Sequence, residues 1–410
     1  MKILHINCSD KGSTGKIIRE ISSACFKRGY ESILCNPKSS IECKEEGLKM
    51  YRTSLPKEQS VYKHICYYLG VQYGFAPIST YRIKKIIKRE KPDIVHLHSI
   101  NCNMVNIYKL FEFLNKDEYA VVITNHAEFF YTGNCSHAKE CRRYLSECGD
   151  CPDLFFATRS KFIDKSHIAW KKMENCIQEV ENLQVVSVSP WVFERSKLSP
   201  IMRGVHQRVI LNGINTSIFN NDQGSFKNSN TILFVTASFR SDDYSEKGGG
   251  YVVELARKLY AEGVKFVIIG KVLNCKELPD NVDMIGCIEN QEKLADYYRN
   301  ASITIVMSKR ETFSMPVAES LCCGTPVVGF KAGGPESIAN LDYSQFVNYG
   351  DVDQLEKIIR DKWLKFKTQE KSKQISAEAI KAYGSDRMAR EYIKVYEELI
   401  NEKNRNIDLP

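Results

Sequence analysis

Residues 302–336 constrain the fold more than any other stretch. The β-branched run 302–307 has the continuous apolar character of a strand buried on both faces of a parallel sheet. Glu311 follows just past its carboxyl end, where open α/β sheets bind ligands. Residues 315–323 read as a short helix that accepts Pro316 in its first turn. Gly324 suits the helix's left-handed stop, and 325–330 reads as the next strand. A loop carboxylate, Glu311, and a helix carboxylate, Glu319, can thus face one crevice, with open backbone N–H groups between them to receive an anion. The plainer reading, two solvated surface glutamates, suits a bare Glu-x7-Glu spacing.

This spacing is not bare. Cys323-Gly324-Thr325-Pro326-Val327-Val328 and Gly333-Gly334-Pro335-Glu336 follow at fixed offsets. Carboxylates to grip hydroxyls, beside a seat for phosphate, describe a nucleotide-sugar site. The whole block resembles the donor-binding signature of the retaining glycosyltransferases of family 4, which have the GT-B fold. That resemblance implies that Glu319 holds the ribose hydroxyls. It also implies that Glu311, with the backbone around Thr312, Phe313, Ser314 and Met315, orients the donor sugar and its diphosphate.

A chain of 410 residues exceeds the usual single-core limit, so two domains are expected. Composition is that of an ordinary globular protein, 43% hydrophobic and 26% charged. A net charge of +8 is compatible with phosphate-rich ligands, nucleic acid or anionic membrane and selects none of them. The first residues are too short and too polar after Asn7 for a signal peptide, and no run of apolar residues is long enough to span a bilayer. The 15 cysteines are therefore expected in a reducing compartment rather than in a disulfide framework, and the location is expected to be cytosolic.

In the first half, strand 3–7 leads into the glycine-containing loop 9–15 and an amphipathic helix from Lys16, an arrangement that sets N–H donors beside a phosphate or a sugar. The spacing is neither a dinucleotide fingerprint nor a P-loop, and a tight turn is the competing reading. Gly12 and Ser13 are the candidate ligand-facing residues, because the loop looks like the N-terminal glycine loop of family 4. Residues 60–76 are unusually aromatic: a core helix is the first reading, a surface for membrane or lipid-linked acceptor the second. Residues 80–90 form a basic helix, most simply a solvated face, otherwise a seat for anionic headgroups. His96 and His98 alternate on a strand and face the crevice, without a third partner to make a metal site. His126 closes the strand 119–125. The matching histidine of family 4 commonly bonds a sugar hydroxyl, although here Ala127 stands where an acidic neighbour is usual.

Cys135, Cys141, Cys148 and Cys151 fall within seventeen positions. Four thiolates suit a tetrahedral structural zinc that pins a polar loop; free thiols, or His137 in place of one ligand, are the alternatives. The stretch resembles a cysteine-bearing insert of one polysaccharide-biosynthesis branch of family 4.

Residues 209–216 look like the family's exit strand and linker, and 220–230 read as the joint. Arg240 and Lys247, after the first strand of the second half, make a diphosphate clamp, and the family holds pyrophosphate with an Arg and a Lys-Gly at this point. The six residues between them lengthen that gap.

The fold expected is α/β, GT-B, with two doubly wound Rossmann-like domains facing a cleft. The divisions are 1–215, with the insert at about 131–152, then 216–385, and a terminal helix 386–410 that crosses back to the first domain. The function implied is retaining transfer of a sugar from a nucleotide-diphosphate sugar to a glycan or polyprenyl-linked acceptor, in O-antigen, lipopolysaccharide or capsule synthesis. No catalytic metal, cofactor or enzymatic nucleophile is implied, nor is nucleic acid a partner; peripheral contact with the inner membrane face is. The competing reading is a zinc-stabilised nucleotide- or nucleic-acid-binding protein without transferase activity.

Overall fold

The computed structural model describes residues 1–38, 42–45, 47–222 and 230–407. The chain divides into two compact units, Met1–Ile210 joined by the chain from Met388 onward, and Leu211–Arg387. Both are Rossmann-like α/β units. Most of the joint expected at 220–230 lies outside the described residues.

The first unit holds eight strands: β1 (Lys2–Ile6), β2 (Glu31–Asn36), β3 (Glu42–Glu45), β4 (Leu48–Arg52), β5 (Ile94–Leu97), β6 (Ala120–Asn125), β7 (Leu183–Ser187) and β8 (His206–Val209). Their order is β3-β4-β2-β1-β5-β6-β7-β8, parallel throughout except for β3 against β4. From β1 the chain builds outward through β2 to β4, then returns to β5 on the other side of β1. The sheet's switch point therefore lies between β1 and β5, where such folds open a crevice at the strand ends.

The second unit holds β9 (Thr231–Arg240), β10 (Lys265–Asn274), β11 (Val282–Gly286), β12 (Ile303–Val306), β13 (Val327–Phe330) and β14 (Ser344–Val347), all parallel, in the order β11-β10-β9-β12-β13-β14. Its switch point falls between β9 and β12. β12 and β13 are wholly buried, as their unbroken apolar runs require.

Several elements depart from the sequence reading. β9 and β10 run on to Arg240 and Asn274, because Ser238, Phe239 and Arg240 pair with Lys271, Val272 and Asn274 beyond a register shift. The extension mixes polar Ser238, Arg240, Lys271 and Asn274 with apolar Phe239 and Val272, so no continuous apolar run announced it. The exit strand expected at 209–216 is not one: β8 ends at Val209, and Ile214 only bridges to Gly384. The aromatic stretch 60–76 divides its faces, with Tyr62, Cys66 and Tyr73 buried and Tyr68 and Leu69 exposed.

The terminal helix, Ser385–Ile407, packs on the first unit's sheet. Met388, Tyr392, Ile393, Val395, Tyr396 and Leu399 share a core with Ile3, Ile17, Ile21, Ile94 and Val122. No helix among the described residues is long and apolar enough to cross a membrane.

Candidate active site

In the second unit, the loops after β9 and β12 meet at the switch point. The Gly249–Lys258 helix begins directly after Lys247, with Gly248 left-handed at φ +73°. A Cβ on Gly248 would lie 2.2 Å from the Met307 carbonyl oxygen, and one on Gly249 2.2 Å from that of Arg240. The two glycines therefore let the β9 loop close onto the end of β12. That approach carries Lys247 Nζ to 2.5 Å from Glu311 Oε1, an ion pair across 64 positions of chain. Asp243 fixes the loop from inside: its carboxylate accepts the backbone N–H groups of Ser245, Glu246 and Lys247 at 2.8–3.0 Å. Those bonds outweigh partial burial and hold its carboxyl below the usual aspartate range.

Glu311 is held by its backbone, its N–H donating to Ala332 O (3.0 Å) while its carbonyl accepts from Gly334 N–H (2.8 Å). A Cβ on Gly334 would meet Phe313 N at 2.6 Å, so the Gly-Gly pair is again what admits the second loop. Glu336 caps that loop, accepting from the N–H groups of Ala332 and Gly333 at 2.9 and 2.8 Å. Ser314 precedes the Met315–Cys322 helix at φ +82°. Such a conformation is strained for a serine, and strain of this kind clusters at ligand sites. Phe313 and Ser314 are buried, while Thr312 and Met315 are half-exposed. Glu319 lies one turn into the helix and its Oε2 accepts from Tyr298 O–H at 2.9 Å.

Arg240 stands apart from this group. It is the last residue of β9 rather than a loop residue. Its guanidinium is exposed and donates from Nε to Asp242 Oδ1 at 3.2 Å. The structure thus brings Lys247, Glu311 and the 312–315 turn together, and leaves the Arg240 side chain paired with Asp242.

In the first unit, Asn7 lies at the end of β1. It donates to Ser9 O (2.6 Å) and Thr14 Oγ1 (3.0 Å), and accepts from Ser99 N–H (3.1 Å). The helix after it starts at Gly12, not at Lys16, so half of the expected loop is the helix's first turn. Gly12 and Ser13 are exposed there. Gly15 is required by packing: a Cβ would sit 2.4 Å from Asp10 O.

His126 ends a chain of three rings. His126 Nε2 lies 3.2 Å from His98 Nδ1, and His98 Nε2 lies 3.0 Å from His5 Nδ1. Burial pulls His5 and His126 down to about 3 and holds His98 well below the ordinary imidazole range, so all three are neutral near pH 7. Each neutral ring carries one proton, so the direction of one hydrogen bond sets the tautomers of all three. His96 lies beside them, bonded through Nδ1 to Tyr396 O–H (2.7 Å) and through Nε2 to Thr124 Oγ1 (2.8 Å).

His96 and His98 do have a third partner, His5, because β1 pairs with β5 in the register His5↔His96. They are also wholly buried rather than facing a crevice. His5, His96 and His98 bring ligand atoms within 4.8 Å of one another. With both His96 nitrogens and the His5–His98 contact already engaged, the trio reads as a hydrogen-bonded network.

In the cysteine insert, Cys135 and Cys148 are buried, Cys141 and Cys151 half-buried, and all four are free thiols. They feel one another electrostatically. Yet they do not bring three ligand atoms within 4.8 Å, as the histidine trio does among the described residues, whereas a tetrahedral zinc thiolate has S···S edges of roughly 3.8 Å. What visibly anchors the insert is Glu128, fully buried, which accepts from Arg195 Nε, Tyr131 O–H and Ala138 N–H, each at 2.7 Å. The sequence reading missed Glu128, His5 and Asn7. Glu128, two positions past His126, was the only one with a local signal.

Two parallel Rossmann-like units with sites at their switch points form the architecture of GT-B glycosyltransferases, and that is what the chain is similar to. Sucrose-phosphate synthase from Thermosynechococcus elongatus superposes with a TM-score of 0.67 at 14% identity, over 98% of this chain and 100% of that one. HepE of Anabaena in complex with UDP-glucose gives 0.62 at 13%, over 97% and 100%. Residues 217–382 match the family Glycosyl transferases group 1, so the second unit carries a group 1 glycosyltransferase domain. The chain is 24% identical over 191 residues to N-acetyl-alpha-D-glucosaminyl L-malate synthase of Bacillus anthracis. That match covers 44% of this chain and spans about half the length of the relative, 49%.

Proposed function

We propose that the protein is a retaining glycosyltransferase of family 4, of the polysaccharide branch, moving a sugar from a nucleoside diphosphate sugar to a glycan carried on a lipid. The observation that carries this reading is the Lys247–Glu311 pair at the second unit's switch point, beside the open start of the Met315–Cys322 helix. A HepE structure holding UDP-glucose on the same fold supports the donor class.

In this reading Lys247 exchanges Glu311 for the donor's phosphates, neutralising charge as the diphosphate leaves, and the helix N-terminus adds its N–H groups. Glu311, released from Lys247, accepts from sugar hydroxyls. Glu319 takes the ribose hydroxyls in exchange for Tyr298. Arg240 adds countercharge by leaving Asp242. Gly12 and Ser13 offer N–H groups to the diphosphate or acceptor, and His126 bonds a sugar hydroxyl as a neutral ring. No protein nucleophile is invoked, and none of these steps requires a metal. Work on a lipid-borne acceptor places the enzyme in peripheral contact with a membrane. Zinc at Cys135, Cys141, Cys148 and Cys151 is a separate proposal that rests on the chemistry of four clustered thiols; it would be structural.

Thermal shift against UDP-, GDP- and ADP-sugars, with and without EDTA, tests these points together. One nucleotide series should raise the melting temperature irrespective of EDTA. Lys247→Ala and Glu319→Ala should abolish that shift and lower transfer by roughly a hundredfold or more, with the unliganded melt retained. Wild-type turnover by both variants would remove the site assignment. An EDTA-dependent loss of stability, with zinc in the purified protein, belongs to the cysteines; full stability without metal ends the zinc proposal.

A further inference from the structure

The first unit has a cationic groove at the end of β4, lined by none of the site residues described above. A groove of about 650 Å³ runs between the end of β4 and the Pro77–Glu90 helix, lined by Arg52, Arg82, Lys85 and Arg89 with Tyr51, Ser54, Leu55, Pro56 and Ile86. Four cations line it and no carboxylate does.

Helical spacing explains three of them. Arg82, Lys85 and Arg89 follow at i, i+3 and i+7, so they share one face, with Ile83, Ile86 and Ile87 buried beneath. Arg52 comes from β4, its Nε donating to Ser54 O at 2.9 Å. The Arg89 guanidinium carbon lies over the Tyr51 ring, 4.6 Å from its centroid, with Nε 3.3 Å from Glu90. Of the acids beside the groove, Glu90 is already engaged by Lys49 Nζ (3.1 Å) and Tyr51 O–H (2.6 Å), and Glu58 by the N–H groups of Leu55 (2.6 Å) and Ser79 (3.0 Å). Among the described residues no carboxylate pairs with Arg52, Arg82 or Lys85. Unpaired cations gathered round a concave space repel one another, and an anion with several acceptor oxygens relieves that cost. The rim is apolar: Leu55, Ile78 and Tyr81 are 44%, 45% and 66% exposed.

We propose that this groove binds a phosphate or diphosphate group attached to, or lying beside, apolar matter. The chemistry fits a phospholipid headgroup and equally a free phosphate compound. The inference does not depend on sugar transfer: failure of every nucleotide sugar to bind leaves it standing.

The full-length protein is tested in two arms. One is titration calorimetry with inorganic pyrophosphate. The other is co-sedimentation with vesicles of phosphatidylethanolamine and phosphatidylglycerol, against phosphatidylcholine alone. The test variant is Arg82→Glu with Lys85→Glu. The control is Lys84→Glu with Lys88→Glu, the same charge change on the adjoining face outside the groove's lining, where both lysines sit over the Phe113 ring. Anionic vesicles should bind the wild type and the control. The test variant should lose roughly thirtyfold, at about 1 kcal/mol for each basic residue removed. Pyrophosphate binding lost in the same variant identifies a soluble source; vesicle binding alone identifies a headgroup. Binding in neither arm overturns the proposal. So does equal loss in test and control, which would be a diffuse effect of net charge. Melting curves of all variants confirm folding, since the replaced groups lie at the surface.

Discussion

Buried histidines make the first unit sensitive to acid in a way that can be measured. His5, His96 and His98 are fully buried, and burial holds each below its ordinary value of 6.5, His5 at about 3. The unfolded chain takes up protons as pH falls through 6.5, whereas the folded chain resists until far lower, so stability is lost on acidification across that window. Each such group contributes a slope of about 1.4 kcal/mol per pH unit, and with His126, which burial also holds at about 3, four approach about 5 kcal/mol per unit near pH 5.5. Urea midpoints between pH 7 and 5 should show this slope, and His98→Asn should remove about a quarter of it. A flat profile over the same range rules out a neutral buried chain. His126 was legible in the sequence because it closes a strand in a recognisable setting. His5 was not, because a lone histidine in an apolar strand carries no sign of its neighbours; only the β1–β5 pairing sets it beside His96 and His98.

Loops at strand ends show the same division at the level of elements. The strand-turn-helix order around Glu311 and around Lys247 was readable from apolar runs punctuated by glycine. What was not readable is which glycine is irreplaceable. Gly248 and Gly12 have nearly the same left-handed φ, +73° and +76°, yet a Cβ on Gly248 would lie 2.2 Å from Met307 O, while Gly12 has nothing within 4 Å. Gly12→Ala should therefore cost only the left-handed penalty, about 1–2 kcal/mol. Gly248→Ala adds a backbone clash that is relieved only by moving the loop, and should shift Lys247 away from Glu311 as well. Thermal melts with nucleotide-sugar binding separate the two: Gly12→Ala loses stability modestly, Gly248→Ala loses both stability and donor binding. Equal behaviour of the two variants contradicts the packing argument. Arg240 illustrates the limit of motif reading, since its place depends on a strand extension beyond a register shift.

At the scale of the whole chain, sequence order and folding unit do not coincide. The second unit is one continuous segment, Leu211–Arg387, whose core cluster lies entirely within it. The first is closed only by residues that arrive last in the chain. Met388, Tyr392, Val395 and Tyr396 are at most 1% exposed, and Tyr396 and Tyr392 also bond His96 and Thr124. Removing four such side chains forfeits on the order of 10 kcal/mol of burial, comparable with the entire stability of an ordinary domain, about 5–15 kcal/mol. The amphipathic pattern of the terminal helix was visible in sequence, and its docking on the first unit was implied by the family resemblance, not by periodicity. Residues 211–387 expressed alone should melt cooperatively. Residues 1–210 alone should lack a cooperative melt and expose apolar surface, and adding a peptide of residues 385–407 should restore the transition. A cooperative melt of 1–210 at the midpoint of the full chain would show that the helix covers a core already complete, and that the first unit ends where its last strand does.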